Sequence, residues 1–392
     1  MSIALLYERS ETDETGIKLT AQEMGIELTF IPFRKIALSI DKSGFTAKTK
    51  GKDYTDVLED VDVVLNRSQS KNRRLQASYL MEMLGKKTIN SSQIEFTCYS
   101  KLRTLLNFWA EGIPIPKTVY IPCNATDTLK SGREIHNETE IADLLQGSIA
   151  LEGGIVLKPD AGTHGRGMML SRNRDQVVAS IKETKPSIIN PVGITAQENV
   201  EKWFYDLRII TYKEKGKPPI CHPIALARSS FKDFRTNTFL GNTVFDAKIP
   251  CNIRDLALKC GKALGKGSEA WLFALDAMIN VAKNKTVDET ELRSTLEKTV
   301  VEFEKVQQIK QDEKRLRNFP EWNIELETAF QTYKNTKPYK KVKNIIEESV
   351  EKDKNAVVFH EANSCPEFWE HTRLIAGINV AVPLLKGALS LI

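Results

Sequence analysis

Three oxygen-bearing side chains stand in strand-like surroundings late in the chain. Asp276 interrupts the apolar run "WLFALDAMI", and a buried aspartate is costly unless it is paired or bound to a metal. Glu361 and Asn363 in "FHEANS" are two residues apart, so they share one face of a strand. Two carboxylates and an amide oxygen from neighbouring strands suit Mg²⁺ that also holds phosphates. These residue types therefore predict a magnesium site.

A glycine-rich turn follows a lysine in "IVLKPDAGTHGRGMML". Lys158 ends an apolar run, and a loop with Gly165, Arg166 and Gly167 leads into a second one. Glycine lets a backbone approach a ligand closely, and bare N–H groups beside cations suit a polyphosphate. The stretch therefore predicts a phosphate-binding loop, with a glycine hairpin that holds no ligand as the alternative.

Lys101 lies in the first turn of the helix predicted over "YSKLRTLLNFWAEG". The dipole of a helix disfavours a cation at this end. An anion held nearby would explain the lysine, and a solvent-exposed side chain is the alternative.

Two familiar nucleotide-binding motifs are absent from the sequence. The pattern GxxxxGK[ST] does not occur, which excludes a P-loop. The glycine loop is followed by a predicted strand rather than by a helix, which excludes a Rossmann fingerprint.

The elements that must position these residues alternate along the chain. Residues 1–95 alternate short apolar strands with amphipathic helices, which predicts a small doubly wound α/β domain. Such domains bind ligands at the carboxyl ends of their strands, which puts Asn66, Arg67 and Ser68 at a site edge; a strand-ending turn is the alternative. The runs "EAWLFALDAMIN" and "AVVFHEANS" are predicted to be partner strands.

The block between those two strands, about 281–355, is rich in Lys and Glu. Its apolar residues recur every three to four positions, which is typical of amphipathic helices. We interpret it as an inserted helical hairpin or small bundle whose apolar stripe packs internally. A docking surface for a partner or a sister subunit is the alternative.

Composition narrows the class of protein. A chain of 392 residues is expected to form two or three domains, and its six cysteines, none in a CxxC pair, predict reduced thiols in the cytoplasm. The opening residues lack the basic region of a signal peptide, and no apolar run approaches the ~18 residues that cross a bilayer. The net charge of +5 comes without a dense basic run interleaved with aromatics, so we expect neither a membrane nor a nucleic-acid partner.

Six ordered motifs resemble the ATP-grasp superfamily, within it the RimK-type glutamate ligases and the LysX-type ligases that act on an amino-group carrier protein. They are "SKLRTLLNFWAEGIPIPKT", "IVLKPDAGTHGRGMML", "AQENVEKWFYDLRI", "DFRTNTFLGN", "ALDAMI" and "HEANSCPEFWEHTRLIAGINVA". The resemblance implies an ATP-grasp fold of the α/β (α+β) class. It implies an N-terminal domain over 1–95, a central lid domain over 96–196 and a C-terminal grasp domain over 197–392.

The resemblance also implies roles for individual residues. Lys101, Lys158 and a flap with Gly165, Arg166 and Gly167 would cover the ATP phosphates. Gln197, Glu198, Asn199 and Val200 would form the hinge strand that reads adenine, and Asp206 and Arg208 match a D-x-R strand. Arg228, Arg235 and Asn237 match the groups around the reacting phosphate, and Asp276, Glu361 and Asn363 match the ligands of Mg²⁺, with Mn²⁺ as a substitute.

The implied reaction activates a carboxylate with ATP as an acylphosphate, which an amine then attacks to give an amide, ADP and phosphate. The amine is expected to be an amino acid, and the carboxylate to belong to a peptide, a carrier protein or a small cofactor. An ATP-binding scaffold that acts through the insertion and a small-molecule kinase remain alternatives, and a homo-oligomer is left open. The insertion departs from the family, which joins the two metal strands by a short turn.

Overall fold

The computed structural model describes residues 2–9, 11–162, 165–184, 187, 190, 193–236, 238, 242–281 and 288–392. Within these ranges the strands form three larger sheets and one small hairpin. No helix in the same ranges is both long and apolar enough to cross a bilayer.

The N-terminal sheet is parallel, with helices between its strands. Its elements are β1 (Ile3–Tyr7), α1 (Thr12–Glu23), β2 (Leu28–Pro32), β3 (Ala37–Asp41), β4 (Gly44–Lys48), α2 (Thr55–Asp60), β5 (Val63–Arg67), α3 (Lys71–Met83), β6 (Lys87–Ile89) and α4 (Ser92–Tyr99). The strand order β2-β1-β5-β6 confirms the predicted doubly wound arrangement. The hairpin β3–β4 was not predicted; Leu38 and Ile40 share one face of β3, but the strand has only five residues and is exposed along its whole length.

The central sheet is antiparallel. Its elements are α5 (Lys101–Ala110), β7 (Thr118–Ile121), α6 (Glu138–Ser148), β8 (Ile155–Lys158), β9 (Met169–Ser171), α7 (Arg174–Glu183) and β10 (Ile194–Glu198), with the strand order β7-β10-β8-β9. One face packs on α6 and α7 through a small apolar core that includes Ile141, Leu157 and Ile194. Because strand side chains alternate, Lys158 lies on the opposite face. That face turns Lys158 toward the C-terminal part of the chain.

The C-terminal sheet is also antiparallel, in the order β14-β13-β11-β15-β16 with β12 on the end of β11. Its elements are β11 (Tyr205–Lys213), β12 (Ile220–Cys221), β13 (Ile224–Ser229), β14 (Thr243–Lys248), α8 (Cys251–Leu264), β15 (Trp271–Ile279), α9 (Glu289–Gln311), α10 (Lys314–Arg317), α11 (Phe319–Asn335), α12 (Lys337–Lys352), β16 (Val357–Asn363), α13 (His371–Leu374) and α14 (Ala381–Leu391). Strands β15 and β16 are antiparallel partners, as the sequence predicted. The whole of β15 is buried, which explains its uninterrupted apolar run.

The helices α9, α11 and α12 between those two strands join the main apolar core. Phe303, Phe330 and Tyr333 contact one another, as internal packing requires. The same group reaches the sheet, because the Tyr333 hydroxyl donates to Val244 O at 3.1 Å and Tyr339 packs its ring on Phe245. The insertion is therefore a layer on the C-terminal sheet, and the interpretation as an internally packed bundle covers only part of its apolar stripe.

Candidate active site

A cavity of about 240 Å³ lies where the three sheets meet. The N-terminal sheet contributes Arg67, which ends β5, and the neighbouring helix α3 contributes Lys71 and Arg74. The central part of the chain contributes Lys101, Lys158, Gly165 and Arg166, and the C-terminal part contributes Lys202, Asp206, Arg208, Arg228, Arg235, Asp276, His360, Glu361 and Asn363. Tertiary structure thus brings together in one space residues more than two hundred positions apart.

Asp276 and Glu361 face each other across the β15–β16 pair. Directly opposed residues on antiparallel strands have Cβ atoms about 4.5–5.5 Å apart. The register shifts after this pair, because Ala277 lies opposite Phe359 and leaves His360 as an extra residue. Such a bulge re-aims side chains, and His360, Glu361 and Asn363 all line the cavity.

The donor chemistry of this trio fits a hard divalent cation. Among the described residues, no three His, Cys, Asp or Glu side chains cluster closely enough to hold a metal. A cation at this trio would therefore be bound by the Asp276 and Glu361 carboxylates together with the Asn363 amide oxygen. Burial alone raises the pKa of Glu361, but the ammonium groups of Lys101 and Lys71 lower it below its ordinary value. The Asn363 side-chain oxygen accepts one hydrogen bond, from Cys365 N at 3.1 Å, and retains a second lone pair.

Asp276 is held by two arginines. Arg208 donates from Nε and Nη2 to its two oxygens at 2.9 Å each, and Arg228 Nη2 lies 3.1 Å from Oδ2. Burial would raise the pKa of Asp276, but the two guanidinium groups hold it well below its ordinary value. The carboxylate is therefore ionised at neutral pH, as a metal ligand must be.

The second carboxylate of this network is Asp206. It accepts Arg228 Nε at 2.8 Å and Nη2 at 2.9 Å, together with the Thr236 hydroxyl. The D-x-R spacing of Asp206 and Arg208 is also compatible with an ordinary surface ion pair between these two residues. The structure instead pairs each with a residue on a neighbouring strand, in buried surroundings.

Two lysines approach Glu361 from the central part of the chain. Lys101 begins α5, and its ammonium donates to Pro159 O at 3.1 Å and Gly162 O at 2.6 Å, and lies 3.8 Å from Glu361 Oε1. The two carbonyl oxygens and the Glu361 carboxylate offset the unfavourable helix dipole at this position. Burial, reinforced by the ammonium groups of Lys101 and Lys202, lowers the pKa of Lys158 to about 8.

The glycine loop joins the antiparallel strands β8 and β9. Gly165 and Gly167 both have φ of +68°, a backbone region that favours glycine. A Cβ added at Gly167 would also lie 2.9 Å from Pro159 Cγ. Arg235 reaches this loop, because its Nη1 donates to Gly165 O at 3.2 Å while Asp233 pairs with the rest of its guanidinium. Asn237 lies outside the described residues.

The predicted hinge strand ends β10. Glu198, Asn199 and Val200 line the cavity, whereas Gln197 is buried and donates through Nε2 to Thr118 Oγ1 at 3.0 Å. One oxygen of Glu198 accepts Lys117 N at 2.9 Å. The backbone N–H of Asn199 donates to Gly154 O at 3.0 Å, which ties the hinge to the start of β8.

Comparison with known proteins connects this geometry to a family. The model of the RimK-like ATP-grasp domain matches residues 128–317. The chain contains a RimK-like ATP-grasp domain.

Relatives and solved structures agree with the ATP-grasp assignment. The alpha-aminoadipate–LysW ligase LysX of Sulfurisphaera tokodaii is 28% identical over 214 residues, which are 54% of this chain and 67% of that protein. A probable alpha-L-glutamate ligase of Coxiella burnetii is 23% identical over 275 residues, covering 68% of this chain and 80% of the relative. The structure of VanG D-Ala:D-Ser ligase from Enterococcus faecalis superposes with a TM-score of 0.55 at 13% identity over 100% of this chain and 99% of that chain, which supports the ATP-grasp fold.

Several cavity residues of the ATP-grasp site were missed by sequence reasoning. Lys202 donates to Thr236 Oγ1 at 2.9 Å and lies 3.7 Å from Asp206; its position just after the hinge motif was an available signal. Lys71 lines the N-terminal side, and burial lowers its pKa to about 8. Among the described residues, His360 Nε2 is buried and has no hydrogen-bond partner. Burial, with Lys158 nearby, lowers the pKa of His360 to about 4. Strict alternation along β16 predicts that His360 points away from the cavity. The bulge that turns it inward leaves no local sequence signature, so this residue was missed.

Proposed function

We propose that this protein is an ATP- and Mg²⁺-dependent ligase that activates a carboxylate as an acylphosphate and joins it to an amine. The amine is an amino acid, and the carboxylate belongs to a peptide, a carrier protein or a small cofactor. The ligase activities in the names of the ATP-grasp relatives support this class of reaction.

One observation carries the proposal. The cross-strand pair of Asp276 and Glu361, with Asn363 beside it, shares a cavity with the ammonium group of Lys158 and with the glycine loop. A carboxylate pair that faces a lysine ammonium and a glycine loop is suited to a nucleotide's terminal phosphates. The backbone of Lys158 pairs with β10, but its ammonium makes no hydrogen bond to the described residues, which leaves this group available to an anion.

The residues divide the proposed work by position. Lys158 and the loop at Gly165 and Arg166 bind phosphate oxygens, and Asp276, Glu361 and Asn363 hold Mg²⁺, which neutralises phosphate charge when bound. Arg235 contacts the loop at Gly165 O and would bind the reacting phosphate, and Arg228 would stabilise negative charge on the tetrahedral centre. Asp206 orients Arg228 through two hydrogen bonds. A loop closed over the nucleotide would exclude water, which otherwise hydrolyses an acylphosphate.

The proposed ligase reaction has two steps. A carboxylate oxygen attacks the γ-phosphorus and ADP departs. The nitrogen of the neutral amine then attacks the acyl carbon, an amide bond forms, and phosphate departs with the proton of the amine lost to solvent.

The test measures ADP formation by the full chain with ATP, Mg²⁺, pooled amino acids and a panel of carboxylate acceptors. Stimulation by a particular pair of substrates, lost in Asp276→Asn and Glu361→Gln, is the expected result. No stimulated ADP formation with any combination would contradict the ligase assignment.

Hydroxylamine separates the ligase from a kinase on the same fold. An acylphosphate reacts with hydroxylamine to give a hydroxamate. The hydroxamate is detected by the coloured complex that it forms with iron(III). ADP formation that is stimulated by a hydroxyl substrate and yields no hydroxamate would favour the kinase.

A further inference from the structure

The segment that follows β16 is held from two sides. We call residues 365–375 the connecting segment; it begins two residues after Asn363 and ends just beyond α13. Cys365 and Glu367 line the cavity. The inserted helices contact one side of the segment. Helix α1 and strand β5 near the N-terminus contact its other side.

Helix α11 of the insertion holds the segment through Asn323. Its side-chain oxygen accepts Trp369 Nε1 at 2.9 Å and Arg373 Nη2 at 2.7 Å. Its amide donates to Glu327 Oε1 at 2.9 Å, and the same oxygen accepts Arg373 Nη1. The guanidinium of Arg373 also stacks over the Trp369 ring at 4.1 Å. One asparagine thus fixes the two largest polar side chains of the segment.

Helix α9 holds the segment at a second point. The ammonium of Lys310 lies 2.7 Å from Glu370 Oε2 and 3.0 Å from His371 Nε2. The His371 ring is packed between Phe303 and Phe330, with centroids 6.0 Å from each. The insertion therefore grips α13 with two separate helices.

Helix α1 and strand β5 hold the opposite side of the segment. Asp13 accepts the backbone N–H groups of Phe368 at 3.1 Å and Trp369 at 2.8 Å, while Arg67 donates to Pro366 O at 3.0 Å. The Trp369 ring covers Gly16, where an added Cβ would lie 2.0 Å from it. The segment is thus fixed between two layers that are far apart in sequence.

We propose that Asn323 is a positioning residue that sets the substrate-side wall of the cavity, acting through Trp369 and Arg373 on Cys365 and Glu367. This proposal rests on the proposed ligase function, because Cys365 and Glu367 follow Asn363, the last residue of the carboxylate–amide trio, and line the same cavity. Loss of Asn323 releases the segment locally, so it disturbs the substrates other than ATP. The insertion is then a structural support of the substrate site.

The experiment compares Asn323→Ala with Ile324→Ala, a neighbour on α11 that is 64% exposed. Lys310→Met on α9 is a second variant that loosens the same segment independently. Iodoacetamide labelling followed by peptide mass spectrometry reports on Cys365, which is half-buried. Cys251 is exposed and serves as an internal reference.

We expect Cys365 to react several-fold faster in Asn323→Ala and Lys310→Met, because local opening exposes a half-buried thiol. The labelling rate of Cys251 should stay at its wild-type value in every variant. The urea midpoint of Ile324→Ala should also stay at its wild-type value. Binding of Mg²⁺ with a non-hydrolysable ATP analogue should be unchanged. With any substrate pair found active, the KM for the amino acid or the acceptor should rise while the KM for ATP stays constant.

Wild-type labelling of Cys365 in both variants would overturn the proposal, and so would faster labelling that Ile324→Ala shares. Faster labelling with unchanged KM values for both non-nucleotide substrates would overturn it as well. Labelling requires no turnover, so a failure of the ligase assignment is distinguishable: Cys365 would respond as expected while no substrate stimulates ADP formation.

Discussion

Arg208 holds both carboxylate oxygens of Asp276, with Nε and Nη2 at 2.9 Å, across the β11–β15 pair. Sequence reasoning gave Asp276 to a metal and Arg208 to the nucleotide, and the structure joins the two in one ion pair. The pair keeps the carboxylate charged and fixes its rotamer before any ligand binds. Preorganisation of this kind is how binding sites avoid reorganisation cost.

Replacing Arg208 with lysine keeps the charge and removes the two-pronged contact. We expect a loss of about 1.5–3 kcal/mol in the free energy of unfolding, typical for hydrogen bonds to charged groups. Urea unfolding measures the change. Arg174→Lys is the matched control, because Arg174 makes a similar pair with Asp143 in an exposed position and exposed pairs contribute little. Equal losses in both variants would contradict the structural role given to Arg208.

Glu361→Gln removes one charge of the carboxylate pair. We expect substrate-stimulated ADP formation to fall about 10²- to 10³-fold, the usual effect of losing one preorganised electrostatic group. The Mg²⁺ concentration needed for half-maximal activity should rise in the same variant. Glu302→Gln in α9 is the control, since this side chain pairs with Lys305 at the surface, far along the chain from the cavity residues. A wild-type magnesium dependence in Glu361→Gln would remove Glu361 from the metal site.

Nucleotide binding should weaken as the pH rises through about 8, the pKa of Lys158. The phosphates favour the protonated ammonium, so above this pH binding must take up a proton, and Lys158 alone raises Kd by at most ~10-fold per pH unit. Titration calorimetry at about 1.5 pH units on each side of that pKa measures how steeply log Kd changes with pH. Lys158→Arg stays charged and should show a smaller slope, with Lys71, whose pKa is also about 8, accounting for the remainder.

The same lowered pKa predicts the direction of stability. Between pH 8 and the ordinary pKa of 10.5, the unfolded chain holds a proton on Lys158 that the folded chain does not. The free energy of unfolding of the ligand-free protein should therefore rise with pH across this window. A flat wild-type profile, matching that of Lys158→Arg, would show that Lys158 is not buried as described.

Trp322→Ala tests whether the insertion belongs to the main core. The Trp322 side chain is fully buried and donates through Nε1 to Ile309 O at 2.8 Å. We expect a loss of about 3–5 kcal/mol in the free energy of unfolding, as for other buried tryptophans. Ile324→Ala on the same helix should change it by less than about 0.5 kcal/mol. A loss confined to a separate early transition would indicate an independently folded insertion.

Local patterns predicted the parts of the site that depend on residue type and on nearby spacing. The parallel N-terminal sheet, the β15–β16 pair and the approach of Lys158 to Glu361 follow from apolar periodicity and from motifs of a few residues. The surface hairpin β3–β4 and the strand β14 were missed. The sequence of β3 does alternate, with Leu38 and Ile40 on one face, but the strand has only five residues and all of them are exposed.

The sequence by itself determined the chemistry of the site: carboxylates and an amide on adjacent strands, a lysine at the end of a buried strand and a glycine loop after it. Only the tertiary structure decided the partners, namely Arg208 with Asp276, Arg228 with Asp206, the bulge that turns His360 inward and the contact of Asn323 with Trp369. Residue types and short-range spacing are encoded locally. Strand register and packing between distant segments depend on the balance of many burial and pairing energies across the whole chain.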